Sequence, residues 1–513
     1  MAVIPGSVSW LWIQVSNFWN GLTALSMCLL FLALSLLFDH VKRRKPPNRF
    51  PPGPTPLPFF GNVLLFLRKK PVVFFKSLQK KYGPVVSFQF GWINIIMLSG
   101  FKIVKEAHGP KAENFVDRSP FPLFSMLGRG KKCQGVLVAT CSDGWREQRK
   151  FIVSSLKNFG VGKKSIEKRI CEEARYLCSE FSSKEGSLFD PQTLVNRAVG
   201  NIFCLIALGD RFDYNDENFI KIMHLTEGLL TGVAKNLIQF IFLGSWFSYI
   251  PGPHHKVKQT FEAYRAFIIE IINEHKKTRD PTCPRDLTDA FLEEIEKAKG
   301  NPESSFNEPN LVVLLCEMLG VGVETTAATM RWGLLCMILH PDIQKKVQDE
   351  IDAVIGRTKS PTMEDQPNMP YTTAVIYEIQ RWADIAPYTI PYVAQKDTEI
   401  GKFIIPKDTI VFTNLSSVLK DETVWEKPHE FYPENFLDAN GQLVKREAFL
   451  PFSIGRHACP GEQLAKAELF IFFTSILQHF TLCSPKNSPR PTDERVYAIT
   501  VNPVPFQMCA IPR

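Results

Sequence analysis

No Asp, Glu, Lys or Arg occurs before Asp39. A secretory leader opens on basic residues and closes on a small-x-small cleavage site. Both are missing here, which weighs against a cleaved signal peptide, the rival reading of this end. The cysteines are scattered: Cys28, Cys133, Cys141, Cys171, Cys178, Cys204, Cys283, Cys316, Cys336, Cys459, Cys483 and Cys509, with no C-x-x-C pair. That argues against zinc and dithiol chemistry and fits a reducing compartment better than a disulfide framework. Lys and Arg number 60 against 52 Asp and Glu, but they are dispersed, so no nucleic-acid footprint is expected. What is present is a chain of 513 residues, 45% hydrophobic, long enough for a large core with some membrane contact.

The uncharged start contains Gly21 to Phe38, an unbroken run of apolar and small residues. It is long enough to span a bilayer once a few upstream residues join it. Trp10, Trp12 and Trp19 suit one membrane interface, and Lys42-Arg43-Arg44-Lys45 closes the other end. The positive-inside rule then puts residues 46–513 on the cytosolic side. Pro46 to Pro58 is proline-rich, a stiff spacer read here as a hinge. The predicted organisation is a membrane anchor at 1–41, a basic and proline-rich linker at 42–58, and one large domain at 59–513.

Within that domain, Val85 to Phe90 and Ile93 to Leu98 alternate about Gly91 and predict a hairpin. Residues 111–140 are punctuated by Gly and Pro and read as a long loop. Residues 165–300 follow a helical period with breaks near Gly209 and Pro251. Inside them Leu237 to Ile250 is an apolar aromatic run, either core or a second membrane contact. Residues 390–413 read as short strands around the Pro406 to Thr409 turn. The expected fold is mainly α with small β sheets, preceded by one N-terminal transmembrane helix.

Asn310 to Leu339 predicts a long helix with Glu317 inside an apolar run. A carboxylate there is costly unless it is paired or faces a cavity. Two readings stand: an ion pair with a distant Lys or Arg, or a pocket acid for cationic amines. Gly320 and Gly322 each weaken the helix by about 1 kcal/mol just before Glu324, Thr325 and Thr326. Oxygen activation needs such a groove, with room for O2 and a proton relay. Glu317 and Glu324, seven apart, are expected on roughly one face. Glu378 and Arg381 stand at i,i+3 on a helix from Tyr371 to Ala383, a spacing that suits an ion pair.

Ala448 to Cys459 is loop-like, with Pro451, Ser453 and Gly455, and Gly461 to Phe480 is helical. A cysteine at a helix mouth faces free N–H groups and the positive end of the helix dipole. Both favour the thiolate, a strong ligand for haem iron. Phe452-x-x-Gly455-x-x-x-Cys459-x-Gly461, with Gly322-Val323-Glu324-Thr325-Thr326, Trp145-x-x-x-Arg149 and Glu378-x-x-Arg381 in the same order, resembles the cytochrome P-450 family. Nearly the whole chain is similar to its microsomal drug-metabolising branch, family 2, subfamily D.

That resemblance implies haem b (iron protoporphyrin IX) on Cys459, with Arg118, Trp145, Arg149 and His457 at its propionates. Trp145 and Arg149, at i,i+4, share one helix face for this purpose. Thr325 becomes the alcohol that handles the proton of oxygen activation, and Glu324 links it to water. Phe121 to Leu127 line the substrate pocket, with Phe121, Val321 and Glu317 as contact candidates. Glu378 and Arg381 lock onto Phe431 to Phe436, where Asn435 stands in place of the usual Arg or His. His457 likewise replaces the usual Arg, Val321 the common Ala, and Tyr392 a frequent His. Pro460 offers no N–H to the sulfur, so an electron-rich thiolate is expected.

The implied activity is a haem-dependent monooxygenase acting on lipophilic small molecules: xenobiotics, basic amines, steroids or fatty acids. Its electrons come from NADPH through NADPH-cytochrome P-450 reductase, with cytochrome b5 as a second donor. The docking face would hold Arg146, Lys150, Lys445, Arg446, Arg456 and Lys466. The implied location is the endoplasmic reticulum membrane, in contact with lipid, with the catalytic domain in the cytosol. Two other readings stay open: a haem-thiolate isomerase or dehydratase without external electrons, and a non-catalytic haem sensor or carrier. The Glu324-Thr325 pair weighs against both.

Overall fold

The computed structural model describes residues 6–42, 48–67, 71–126, 135–162, 164–242, 251–484 and 490–513. Arg43 to Lys45, Leu127, Cys133 and residues 243–250 lie outside the described residues, as do the side chains of Trp10, Trp12, Trp19 and Leu237 to Phe242.

The helix Glu308–Leu339 runs through the centre. Asn307 starts it, its side-chain oxygen accepting from Asn310 N at 3.0 Å, and Pro309 sits in the first turn, where an N–H is not needed. The sequence is apolar all round, and such a helix must be covered on every side. Helices Gln192–Leu208, His254–Thr278, Pro370–Ala383 and Glu462–His479 cover it. By length and composition it could cross a membrane, yet 67% of its most apolar stretch is buried inside the fold, so it is a core helix. Gly322 earns its place by packing: a Cβ there would fall 2.2 Å from the Phe203 ring on Gln192–Leu208. Gly320 faces open space.

The main sheet has strand order Val85–Phe90, Ile93–Ser99, Ile410–Asn414, Tyr392–Val393, Asp117–Arg118. The expected hairpin is there, with Val85 opposite Leu98. The region expected as one loop is partly ordered: Ala112–Phe115 forms a 3-10 turn, Asp117–Arg118 an edge strand on Tyr392–Val393, and Pro122–Met126 a short helix. Pairing with Tyr392–Val393 is a contact from far along the chain, invisible to local pattern. Among the described residues there are also three two-stranded ribbons, one of them Arg495–Tyr497 with Val501–Pro503.

The N-terminal helix Gly6–Lys42 contains the short apolar stretch Leu25–Asp39, whose Leu and Phe side chains are exposed. Its end is fastened to the domain. Asp39 Oδ1 accepts from Phe59 N and from Trp92 Nε1, both at 2.9 Å. The proline-rich stretch is fastened as well. Pro51 O accepts from Ser87 Oγ at 2.7 Å, Pro52 O from Ser87 N at 2.9 Å, and Arg49 O from Ile404 N at 2.9 Å. From Arg49 onward it is therefore part of the sheet's surface rather than a free hinge.

Candidate haem site

The loop before Cys459 depends on Gly455. Its φ is 88°, and a Cβ would fall 2.7 Å from His108 O. Cys459 N donates to Phe452 O at 3.0 Å and Ala458 N to Gly455 O at 3.1 Å, which closes the loop on itself just ahead of Glu462–His479. The thiol is reachable by solvent, yet protein encloses it on most sides. Burial pushes its pKa up, opposed by the Gly461 N–H and by Arg149. The Gly461 N–H is the contribution expected of the helix mouth. Coordination to a metal is what deprotonates such a thiol.

Two guanidinium groups stand beside this loop. Arg118 is buried; its Nη1 donates to Ile390 O at 2.7 Å, Nε to Leu137 O at 3.1 Å, and Nη2 to His457 Nδ1 at 3.2 Å. Its plane lies 4.6 Å from the Tyr392 ring centre. Half-buried Arg149 donates to Ala458 O at 2.5 Å. Neither has a carboxylate in ion-pair reach among the described residues, and burial lowers the pKa of both. Guanidinium offers five donors, so both keep N–H groups to spare. Two cations with no carboxylate in contact among the described residues, Arg118 feeling Glu317 only from a distance, fit a planar dianion with a metal at its centre when they stand beside an accessible thiol. The residues present therefore suit haem.

His457 does something other than expected. Its Nε2 donates to Val116 O at 2.7 Å while Nδ1 accepts from Arg118. Burial first, and Arg118 second, push its pKa down to about 3. The ring is neutral at physiological pH, with both nitrogens engaged, so it orients Arg118 and lends no charge. It also packs 4.6 Å from the Trp145 ring. The Trp145 indole N–H donates to Val136 O at 3.0 Å. Trp145, Arg149, Arg118, His457 and Cys459 are thus brought together from three separate segments.

Thr325 lines a cavity of about 40 Å³ with Thr326, Thr329, Phe452, Ala465 and Leu469, between the central helix and the cysteine loop. Its hydroxyl donates to Val321 O at 2.9 Å. Val321 is 38% exposed, whereas Phe121 is buried and packs 5.9 Å from Phe124.

Glu317 and Glu324, seven positions apart on this helix, have unlike surroundings. Glu317 Oε2 accepts from Val136 N at 2.7 Å and Leu137 N at 3.1 Å, and Oε1 has no partner. The approach is close enough that a Cβ on Gly135, φ 89°, would fall 2.5 Å from Oε1. Burial pushes the Glu317 carboxyl up to about 7. Among the described residues no Lys or Arg stands within ion-pair distance of it, while the charge of Arg118 acts on it from farther away and opposes the rise. Glu324 instead accepts from Thr500 Oγ1 at 2.6 Å and Asn502 Nδ2 at 2.9 Å, with Arg331 Nη2 at 3.7 Å. Sequence reasoning missed these three residues. Arg331, seven positions after Glu324, was visible in principle; Thr500 and Asn502 were not.

Glu378 and Arg381 are fully buried, with Arg381 Nε 2.7 Å and Nη2 2.6 Å from the two carboxylate oxygens. Asn435 Nδ2 reaches both Glu378 oxygens at 3.4 Å, and Tyr432 N donates to one at 2.8 Å. The amide thus serves where a cation was usual. On the basic face, Arg146 pairs with Asp143, Lys466 with Glu462 and Arg456 with Glu113. Exposed pairs of this kind contribute little stability.

An accessible cysteine in a closed loop, flanked by unpaired cations and faced by a threonine-lined helix, defines a haem-thiolate protein. The sequence profile of Cytochrome P450 matches residues 51–510, and the chain belongs to the cytochrome P450 family. It is 47% identical to cytochrome P450 2D14 of Bos taurus over 96% of this chain and 99% of that protein. Cytochrome P450 2D6 of Homo sapiens is 46% identical over 96% of this chain and its own full length. Cytochrome P450 2D3 of Rattus norvegicus is 47% identical over 95% and 98%. Membership makes this a haem-dependent oxidoreductase of the monooxygenase class.

Proposed function

We propose that the protein inserts one atom of O2 into lipophilic xenobiotics, with electrons from NADPH delivered by NADPH-cytochrome P-450 reductase, and by cytochrome b5 as a second donor. The observation that carries this reading is Cys459 beside the buried guanidinium of Arg118 and the half-buried one of Arg149, neither with a carboxylate in contact among the described residues. Bound haem b would supply the oxygen chemistry. Cys459 ligates the iron, and Arg118 and Arg149 hold the propionates. Neutral His457 keeps Arg118 in place. Thr325 presents its hydroxyl to the groove once it leaves Val321 O, and Glu324 exchanges protons with water. Glu317 is the pocket acid for basic amines, its buried Oε1 being the oxygen that no hydrogen bond occupies. Glu378, Arg381 and Asn435 build the loop and do no chemistry.

The same reading puts residues 1–41 in the endoplasmic reticulum membrane and the catalytic domain on its cytosolic face. Support comes from the exposed apolar run Leu25–Asp39 and the uncharged start of the chain. Product formation from lipophilic amines, with and without NADPH and reductase, is the test. Turnover that needs neither would favour the isomerase or dehydratase reading. Haem binding without any turnover would favour a sensor or carrier.

A further inference from the structure

We propose that Arg331, Thr500 and Asn502 form a clamp that holds Glu324 away from Thr325, and that Glu324 must leave this clamp before it can pass a proton to the Thr325 hydroxyl. The inference rests on the monooxygenase reading and adds three positioning residues to it. One carboxylate oxygen, Oε1, carries the Thr500 hydroxyl and the Asn502 amide. Asn502 also donates to Thr500 Oγ1 at 3.1 Å and accepts from Arg331 Nη2 at 2.7 Å, so the three residues are tied to one another as well as to the acid. Arg331 is buried, and its Nε has no partner.

The clamp sits on a rigid mount. Trp332 Nε1 donates to Val501 O at 2.9 Å, which fastens the strand Val501–Pro503 to the central helix. Arg495, on the paired strand, lies 4.9 Å from the Trp332 ring and 4.7 Å from the Trp382 ring. Meanwhile the Thr325 hydroxyl is spent on Val321 O. Acid and alcohol are adjacent in sequence but have no hydrogen bond between them.

Behind Glu324 lies a cavity of about 90 Å³ with a mixed polar and apolar wall, between Gln192–Leu208 and Glu217–Phe242. Gln192, Asn196, His224 and Glu227 line it, with Glu324 itself. A single water needs roughly 10–15 Å³ measured in this way, so the cavity has room for several. The charged and titratable groups facing Glu324 are therefore Arg331 on its own helix and Arg197, His224 and Glu227 across the cavity. In the clamp the acid borders this cavity and has no hydrogen bond to Thr325. Each O2, with two electrons from NADPH and two protons, ends either as water plus one oxygen atom in product or as hydrogen peroxide. Timing of the proton hand-off decides between the two, and the clamp sets that timing.

The test uses the haem-loaded full chain as Thr500→Val, Thr500→Ser and Asn502→Leu. One readout needs no turnover: the rate at which a water-soluble carbodiimide with an amine nucleophile labels Glu324, followed by peptide mass spectrometry. Thr500→Val should raise it about fivefold, the equivalent of one lost hydrogen bond. Thr500→Ser, which keeps the hydroxyl, should restore the native rate. The share of NADPH electrons lost to hydrogen peroxide should rise in the Val and Leu variants and return in Ser. Native labelling and native peroxide share in both Thr500→Val and Asn502→Leu, with thiolate ligation intact, would overturn the clamp. Absence of NADPH-dependent product in the native protein would instead sink the monooxygenase reading, and the labelling result would stand apart from it.

Discussion

Arg381 and Arg118 are both buried arginines, and they end on opposite kinds of partner. Arg381 meets a carboxylate with two donors and spends the rest on the carbonyls of Leu419, Lys427, Pro428 and Glu430. Every charge there is answered inside the protein. Arg118 meets two carbonyls, a neutral imidazole and a ring face, and its charge is left without a partner carboxylate. The first circuit is closed and holds the scaffold. The second has no carboxylate in contact among the described residues, which suits a ligand that brings negative charge.

Breaking the closed circuit should cost most. Arg381→Ala strands Glu378 in the core, and loss of one partner of a buried pair costs about 3–5 kcal/mol. Urea unfolding measures it; a change below about 1 kcal/mol would place this pair with surface pairs and dissolve the contrast. Arg118→Leu should act on the ligand rather than the scaffold. Haem should dissociate roughly 10–100-fold faster, the worth of one charge-assisted hydrogen bond, with a smaller effect on apoprotein unfolding. The reverse ranking would make Arg118 a scaffold residue.

Glu317 sharpens the comparison, because it is a buried acid with one oxygen that no hydrogen bond occupies. With its carboxyl pushed up to about 7, it is protonated below that pH and charged above it. Affinity for a permanently charged ammonium compound should therefore rise about tenfold from pH 6 to 8 and stay flat for its neutral isostere. Glu317→Gln should abolish the rise; equal losses for both compounds would remove Glu317 from amine binding. The same shift makes the apoprotein less stable as pH rises from about 4.5 to 7. In that window the unfolded chain has given up this proton and the folded chain still holds it.

The smallest effect concerns Pro460. Pro460→Leu adds an N–H near the sulfur, which should raise the haem reduction potential. An unchanged or lower value in a redox titration would show that the new amide does not reach the thiolate.

Much of the site could be read from the chain because its signals are local. Phe452, Gly455 and Cys459 lie within one loop, and Glu378 and Arg381 within one helical turn. The hairpin at Val85–Phe90 and Ile93–Ser99 follows from alternation about Gly91. What escaped was set by contacts across the chain. The role of His457 depends on Val116 and Arg118 meeting its two nitrogens, and both lie more than 300 positions earlier. The surroundings of Glu324 come from Thr500 and Asn502, on a strand near the other end. Equal spacing on a helix put Glu317 and Glu324 on one nominal face, but neighbouring segments gave them different environments.

The central claim is that Cys459 is the haem ligand and that its arginines stand open to receive the cofactor. Its most direct test is the carbon-monoxide difference spectrum of the reduced, purified protein beside Cys459→Ala. The account predicts a strongly red-shifted Soret band in the native protein and none in the variant. Haem bound without that band in the native protein, or no haem bound at all, would contradict it.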